Sequence, residues 1–139
     1  MKLCRPPNSD AVALIDLGNC DPSSVARGAI SADAGRVAGE TLARMIELAL
    51  DGRIEGICFA PLNKAALHAG GWRFNDEHQM FAHLTRHQGF FGEMNVLDNL
   101  WMSRVTSHFA LRTALRQIPP HRIDVALTLA DRPARGAGF

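Results

Sequence analysis

The stretch CFAPLNKAALHAGG, Cys58 to Gly71, decides the fold class. An apolar run stops at Pro61, a polar pair Asn63-Lys64 follows, and an Ala-rich turn of helix closes on two glycines. With the residues before it, IEGICFA (Ile54–Ala60) reads as a strand and LNKAALHAGG as a short helix. In open α/β sheets, ligands sit where a strand ends and a helix begins. Asn63 and Lys64 are therefore candidate ligand contacts. The plainer reading of Lys64 is a solvated side chain in the first turn of a helix.

Working outward, AVALIDLG (Ala11–Gly18) reads as a buried strand ended by glycine. The loop NCDPSSVARG follows. Ser31 can cap a long helix, ADAGRVAGETLARMIELALDG, on which Ala38, Leu42, Met45, Ile46 and Ala49 recur at spacings of three and four. Gly52 is its stop. Beyond the opening stretch, Asp76–His87 is a predicted helix with Met80, Phe81 and Leu84 as its apolar side. GEMNVLD and LWMSRVTSH read as two strands or one broken strand. FALRTALRQI is helical and stops before Pro119-Pro120. HRIDVALTLADR is the last helix, and PARGAGF trails off. This alternation predicts a single α/β domain over residues 1–139, with a mainly parallel sheet and flanking helices. Such a sheet would leave raw edges, explained by truncation or by a partner subunit.

Composition narrows the function classes. The 139 residues suffice for one domain with a moderate core. The net charge is +1, with 47% hydrophobic and 21% charged residues, and no run of Lys or Arg forms a basic patch. Nucleic acid and membrane are not expected partners. Three widely spaced cysteines without a CxxC motif, and no signal-peptide pattern, predict a reducing, cytoplasmic setting.

Six histidines are the other candidates for chemistry. His83 and His87 are four apart and could share a helix face as a zinc pair. No third ligand is near, so two surface histidines is the simpler reading. His108 closes the apolar segment SRVTSH just before a helix. It is a ligand at a strand end, a helix N-cap neighbour or a satisfied core histidine. No dinucleotide fingerprint, phosphate loop or nucleophile elbow is present.

The segment GAISADAGRVAGETLARMIELALDGRIEGICFAPLNKAALHAGG, followed by RVTSH and FALRTAL, resembles the middle of the 4-hydroxythreonine-4-phosphate dehydrogenase family. The order matches: a S-x-x-x-G helix, an apolar strand ending in a P-x-x-K turn, an AG pair, and a strand ending in T-x-H. The similarity runs from Gly28 to Phe139. It implies a partial isocitrate/isopropylmalate dehydrogenase-like fold and a homodimer. It also implies an oxidoreductase of pyridoxine-biosynthesis type that oxidises a small phosphorylated or carboxylic acid, with decarboxylation following. The implied cofactors are NAD or NADP and a divalent metal (zinc, magnesium, manganese or cobalt), the metal stabilising developing oxyanion charge.

Carried over by resemblance, His108 is a metal ligand, and Asn63 and Lys64 belong to the substrate-binding turn. The family's F-x-G-H-T-E segment aligns with FNDEHQ, which puts Glu77 where the family has His and His78 where it has Thr. A carboxylate facing an anionic substrate repels it unless a metal or Lys64 compensates. The family's other two metal histidines, its opening glycine-rich segment and its cofactor-binding loop have no counterpart in this sequence. The resemblance thus implies a central segment truncated at both ends, with no cofactor-binding residues, no assignable catalytic residue and no activity of its own. The alternative is a non-catalytic α/β domain for dimerisation or for binding small anions.

Overall fold

The structure is a computed structural model, and it describes residues 2–4, 12, 14–98, 100–106 and 110–136. They belong to two compact units, Met1–Thr85 and Arg86–Phe139.

The first unit is organised around helix α1, Ala32–Leu50. Ser31 is its N-cap, with the side chain accepting from Ala34 N at 3.3 Å. The helix ends on a Schellman motif. Arg53 N donates to Leu48 O and Gly52 N to Ala49 O, with Gly52 at φ 67°. The residues α1 buries are Gly35, Gly39, Leu42, Ile46 and Leu48. Leu42 and Ile46 belong to the expected stripe, whereas Ala38, Met45 and Ala49 are only half-buried. The difference comes from a close neighbour, helix α2 (Lys64–Ala69), which packs against the glycine side of α1. A Cβ on Gly35 would lie 1.7 Å from Ala66 O, and one on Gly70 would lie 2.2 Å from Arg36 N. The backbones of the two helices touch, and glycine is what lets them.

The paired glycines after α2 answer two separate needs. Gly70 leaves room for α1, while Gly71 takes φ 99°, which a residue with a side chain rarely adopts. Gly71 N bonds His68 O and Trp72 N bonds Leu67 O, another Schellman closure. Helix α3, Glu77–Leu84, is capped by Asp76, whose Oδ1 accepts from Gln79 N at 2.8 Å. It stops short of the expected His87. Thr85 closes it and Arg86 takes the left-handed φ of 53°. Met80 is its buried anchor, and the Phe59 ring meets Phe81 edge-on at 5.5 Å.

Polar contacts tie the loop before α1 to the helix. Asn19 Nδ2 donates to Glu40 Oε2 at 2.7 Å, and Arg36 Nη1 donates to Glu40 Oε1 at 2.9 Å. The Asn19 hydrogen bond first, and the Arg36 hydrogen bond next, hold the Glu40 carboxyl below the ordinary glutamate value. The Glu40 hydrogen bond likewise raises Arg36. Asp21 is lowered by the Ser23 hydroxyl and backbone N–H, which it accepts at the start of a 3-10 turn, Pro22–Ser24.

The strands depart from the parallel sheet expected of the sequence. Strand β1, Lys2–Cys4, pairs antiparallel with β2, Leu14–Asp16. In the second unit, β3 (Met94–Leu97) and β4 (Leu100–Ser103) form an antiparallel hairpin. Two residues separate β3 from β4, and so short a link allows only antiparallel pairing. The expected strand Ile54–Ala60 is irregular. It has the apolar composition of a strand but no ladder partner among the described residues, and a strand exists only when its N–H and C=O groups are paired. The buried strand expected over Ala11–Gly18 is shorter, and Leu14 is 65% exposed. Helix α4 is Leu111–Arg116, where the sequence places it. Helix α5, Pro120–Gly136, lies against β4 and runs through Pro133 into the segment read as a trailing coil. Its start suits proline, which fits the first turn of a helix, where no N–H is needed. None of the described helices is long and apolar enough to cross a membrane.

Candidate functional site

The first unit contains a small open cleft where α2, the connecting segment and α3 meet. It is lined by Lys64, Leu67, His68, Trp72, Phe74, Asp76, Glu77 and Met80. Local sequence explains each wall. Asn63 starts α2 by accepting from Ala66 N through Oδ1 at 2.9 Å, which sets Lys64 as the first helical residue. A cation at the start of a helix opposes the helix dipole, so Lys64 is not placed there for the sake of α2. The charge that faces it is Glu77, the first residue of α3, with Oε2 3.9 Å from Lys64 Nζ. Glu77 itself suits the start of a helix.

The apolar wall comes from the segment after the glycines. Trp72 lies across α1 at Gly39, where a Cβ would come within 2.1 Å of its indole nitrogen. That nitrogen donates to Arg36 O at 3.3 Å. The Phe74 ring rests against the His83 ring with centroids 5.3 Å apart. His68 Nε2 is 2.6 Å from Phe74 O, which clips the segment back onto α2. The floor is Met80. The result is one lysine and two carboxylates at the rim of an apolar, partly aromatic recess. The space it encloses is about that of one water molecule, so an anion would meet Lys64 on the open side of the recess.

Of the residues that the sequence singles out, the structure brings together Lys64 and Glu77. Asn63 acts as the cap that positions Lys64. His78 is not among the cleft-lining residues; its Nδ1 lies 3.8 Å from Asp76 Oδ1. His108 lies outside the described residues. His83 and His87 do not share a helix face, because α3 ends at Leu84, and His87 Nε2 is instead 3.0 Å from Phe90 O. His68, Trp72, Phe74 and Asp76 also line the cleft, and no motif in the sequence marks them as doing so. The nearest signal is the Gly-Gly-Trp-x-Phe run. Its glycines stop one helix, and its aromatics lie in the five residues, Trp72–Asp76, that lead to the next.

No group of three or more His, Cys, Asp or Glu residues converges to hold a metal among the described residues. Asp76 spends its carboxylate on capping α3, and Glu77 faces Lys64. The described residues therefore do not build the metal site that the family resemblance implies.

The sequence profile of the family described as pyridoxal phosphate biosynthetic protein PdxA matches residues 4–138. The chain belongs to the PdxA family. Among PdxA relatives, it is 36% identical over 131 residues to D-threonate 4-phosphate dehydrogenase of Cupriavidus necator, covering 94% of this chain and 39% of that protein. It also resembles the crystal structure of 4-hydroxythreonine-4-phosphate dehydrogenase from Klebsiella pneumoniae. The TM-score there is 0.79 at 32% identity, over 87% of this chain and 36% of that one. The Burkholderia phymatum 4-hydroxythreonine-4-phosphate dehydrogenase structure gives a TM-score of 0.74 at 38% identity, over 90% and 37% of the two chains. The mixed helix and strand architecture is thus that of PdxA dehydrogenases, and the chain spans well under half the length of these relatives.

Proposed function

We propose that this chain is the substrate-holding portion of a nicotinamide-dependent PdxA dehydrogenase whose substrate is a phosphorylated hydroxy acid. The relatives named above point to the 4-hydroxythreonine 4-phosphate or D-threonate 4-phosphate type. The observation that carries this reading is the cleft of α2 and α3, in which Lys64 stands at the rim of an apolar recess. The phosphorylated end would pair with Lys64, and the carbon skeleton would lie along Trp72 and Phe74. Asn63 serves as the positioning residue, and His78 lies beside the cleft through Asp76. NAD or NADP and a divalent metal belong to this chemistry, with His108 the proposed metal ligand. No metal-holding group of three His, Cys, Asp or Glu residues forms among the described residues. In the whole protein, Ile54–Ala60 would find its ladder partners in a mainly parallel sheet.

The test is direct binding. Amide shifts of the labelled chain are followed during titration with each of the two phosphorylated acids. Saturable shifts at Lys64, Trp72 and Glu77 that vanish in Lys64→Ala are expected. Shifts elsewhere only, or shifts indifferent to Lys64, would overturn the reading. The chain by itself should reduce neither NAD nor NADP with these acids, whether zinc, magnesium, manganese or cobalt is supplied. Turnover above a chelator-treated control would show that the site is complete within this chain.

A second reading, a non-catalytic dimerisation domain, is favoured by one observation in the second unit. In the β3–β4 hairpin, Leu97 pairs with Leu100 and Asn95 with Met102, so these four share a face. Leu97 is 69%, Leu100 65% and Met102 52% exposed. Apolar side chains clustered this way are costly to leave in water. A homodimer is expected by light scattering at micromolar concentration, and Leu100→Lys should shift it toward monomer. A parent chain that stays monomeric over that range would count against the homodimer.

A further inference from the structure

We propose that Glu77 is a specificity-determining residue that acts as a built-in competitor for Lys64. This rests on the proposed reading of the cleft as the site of the acid's phosphorylated end. Three observations carry it. Glu77 Oε2 stands 3.9 Å from Lys64 Nζ, so the carboxylate already holds the place beside the lysine that a ligand anion would take. Glu77 is the more buried of the two, with its side chain 23% exposed against 48% for Lys64. Asp76, also at the rim, adds a second negative charge, although its Oδ1 is engaged by Gln79 N.

The physical consequence is a cleft whose lysine already faces a countercharge. A ligand anion entering it must displace the Lys64 ammonium from Glu77 and then sit near a carboxylate of like charge. Simple anions are thereby held weakly. A ligand gains by also offering hydroxyl or ammonium hydrogens that Glu77 can accept, since a carboxylate is an acceptor only. A hydroxy acid phosphate carries such hydroxyls, whereas sulfate, a tetrahedral anion of similar size, has no hydrogen to offer at neutral pH. Glu77 therefore selects for the hydroxylated skeleton against the bare anion. The competing account of Glu77 is that it only favours the start of α3. That account predicts a change in stability and none in ligand preference.

The experiment compares sulfate with D-threonate 4-phosphate as probes of the full 139-residue chain at low ionic strength, read by amide shifts at Lys64 and Trp72. In Glu77→Gln, which keeps the length and removes the charge, sulfate should bind about five-fold to ten-fold more tightly. The preference for the hydroxy acid over sulfate should fall by a similar factor. Glu77→Asp, which keeps the charge, should stay within about two-fold to three-fold of the parent. Adding Lys64→Ala should abolish the gain. If the parent binds through Lys64 but Glu77→Gln binds sulfate no more tightly, the competitor role is wrong and the proposed function stands. If neither probe moves the cleft amides in any variant, the cleft is not an anion site, and both readings fail.

Discussion

Replacing Gly35 by valine should break the contact between α1 and α2. A Cβ at this position would lie 1.7 Å from Ala66 O and 2.2 Å from Ala66 C. Those atoms belong to the backbone of another helix, so no rotamer change relieves the overlap. The helices must separate, which strips Ala66 and Leu67 of their cover, both now buried. Overpacking of this kind costs about 3 kcal/mol, and more where backbone must move. Gly39→Ala should cost less, about 1–2 kcal/mol, because the obstructing atoms belong to the Trp72 side chain, which can shift. Gly56→Ala is the control, since nothing lies within 4 Å of a Cβ there, and it should stay within about 0.5 kcal/mol of the parent. Urea denaturation followed by circular dichroism ranks the three. Equal midpoints for Gly35→Val and Gly56→Ala would refute the close helix contact.

The second large effect is expected at Met80. Its side chain is 2% exposed, the largest fully buried side chain described, and it is also the floor of the cleft. Met80→Ala leaves a cavity beneath the Lys64–Glu77 rim and should destabilise the chain by about 2–4 kcal/mol. Met80→Leu keeps the volume and should cost less than about 1.5 kcal/mol. The pair separates packing from function. Where both fold, Met80→Leu should retain binding of a phosphorylated hydroxy acid and Met80→Ala should weaken it. A Met80→Ala chain with the parent's melting temperature would mean that the floor is not packed as described.

The helices were legible in the sequence because their signals are local. Ser31, Asn63 and Asp76 each accept a backbone N–H three residues ahead, and Gly52 and Gly71 supply the positive φ that closes α1 and α2. Lys64 was a candidate ligand contact because it lies where an apolar run gives way to a helix, and by resemblance to the family's turn. The order of the motifs identified the family.

Pairing and proximity were decided only by the tertiary structure. Ile54–Ala60 has a strand's composition without a strand's hydrogen bonds, since a ladder depends on a partner that no local pattern specifies. The glycines of α1 read as weak helix formers along the chain, and only the neighbouring backbone of α2 shows why they are needed. The cleft joins Lys64 to Glu77 across thirteen residues of sequence because Gly70, Gly71 and Trp72 turn the chain back on α1. Capping and turn chemistry act over three or four residues and can be read from the chain, whereas the meeting of two charges depends on how the chain packs.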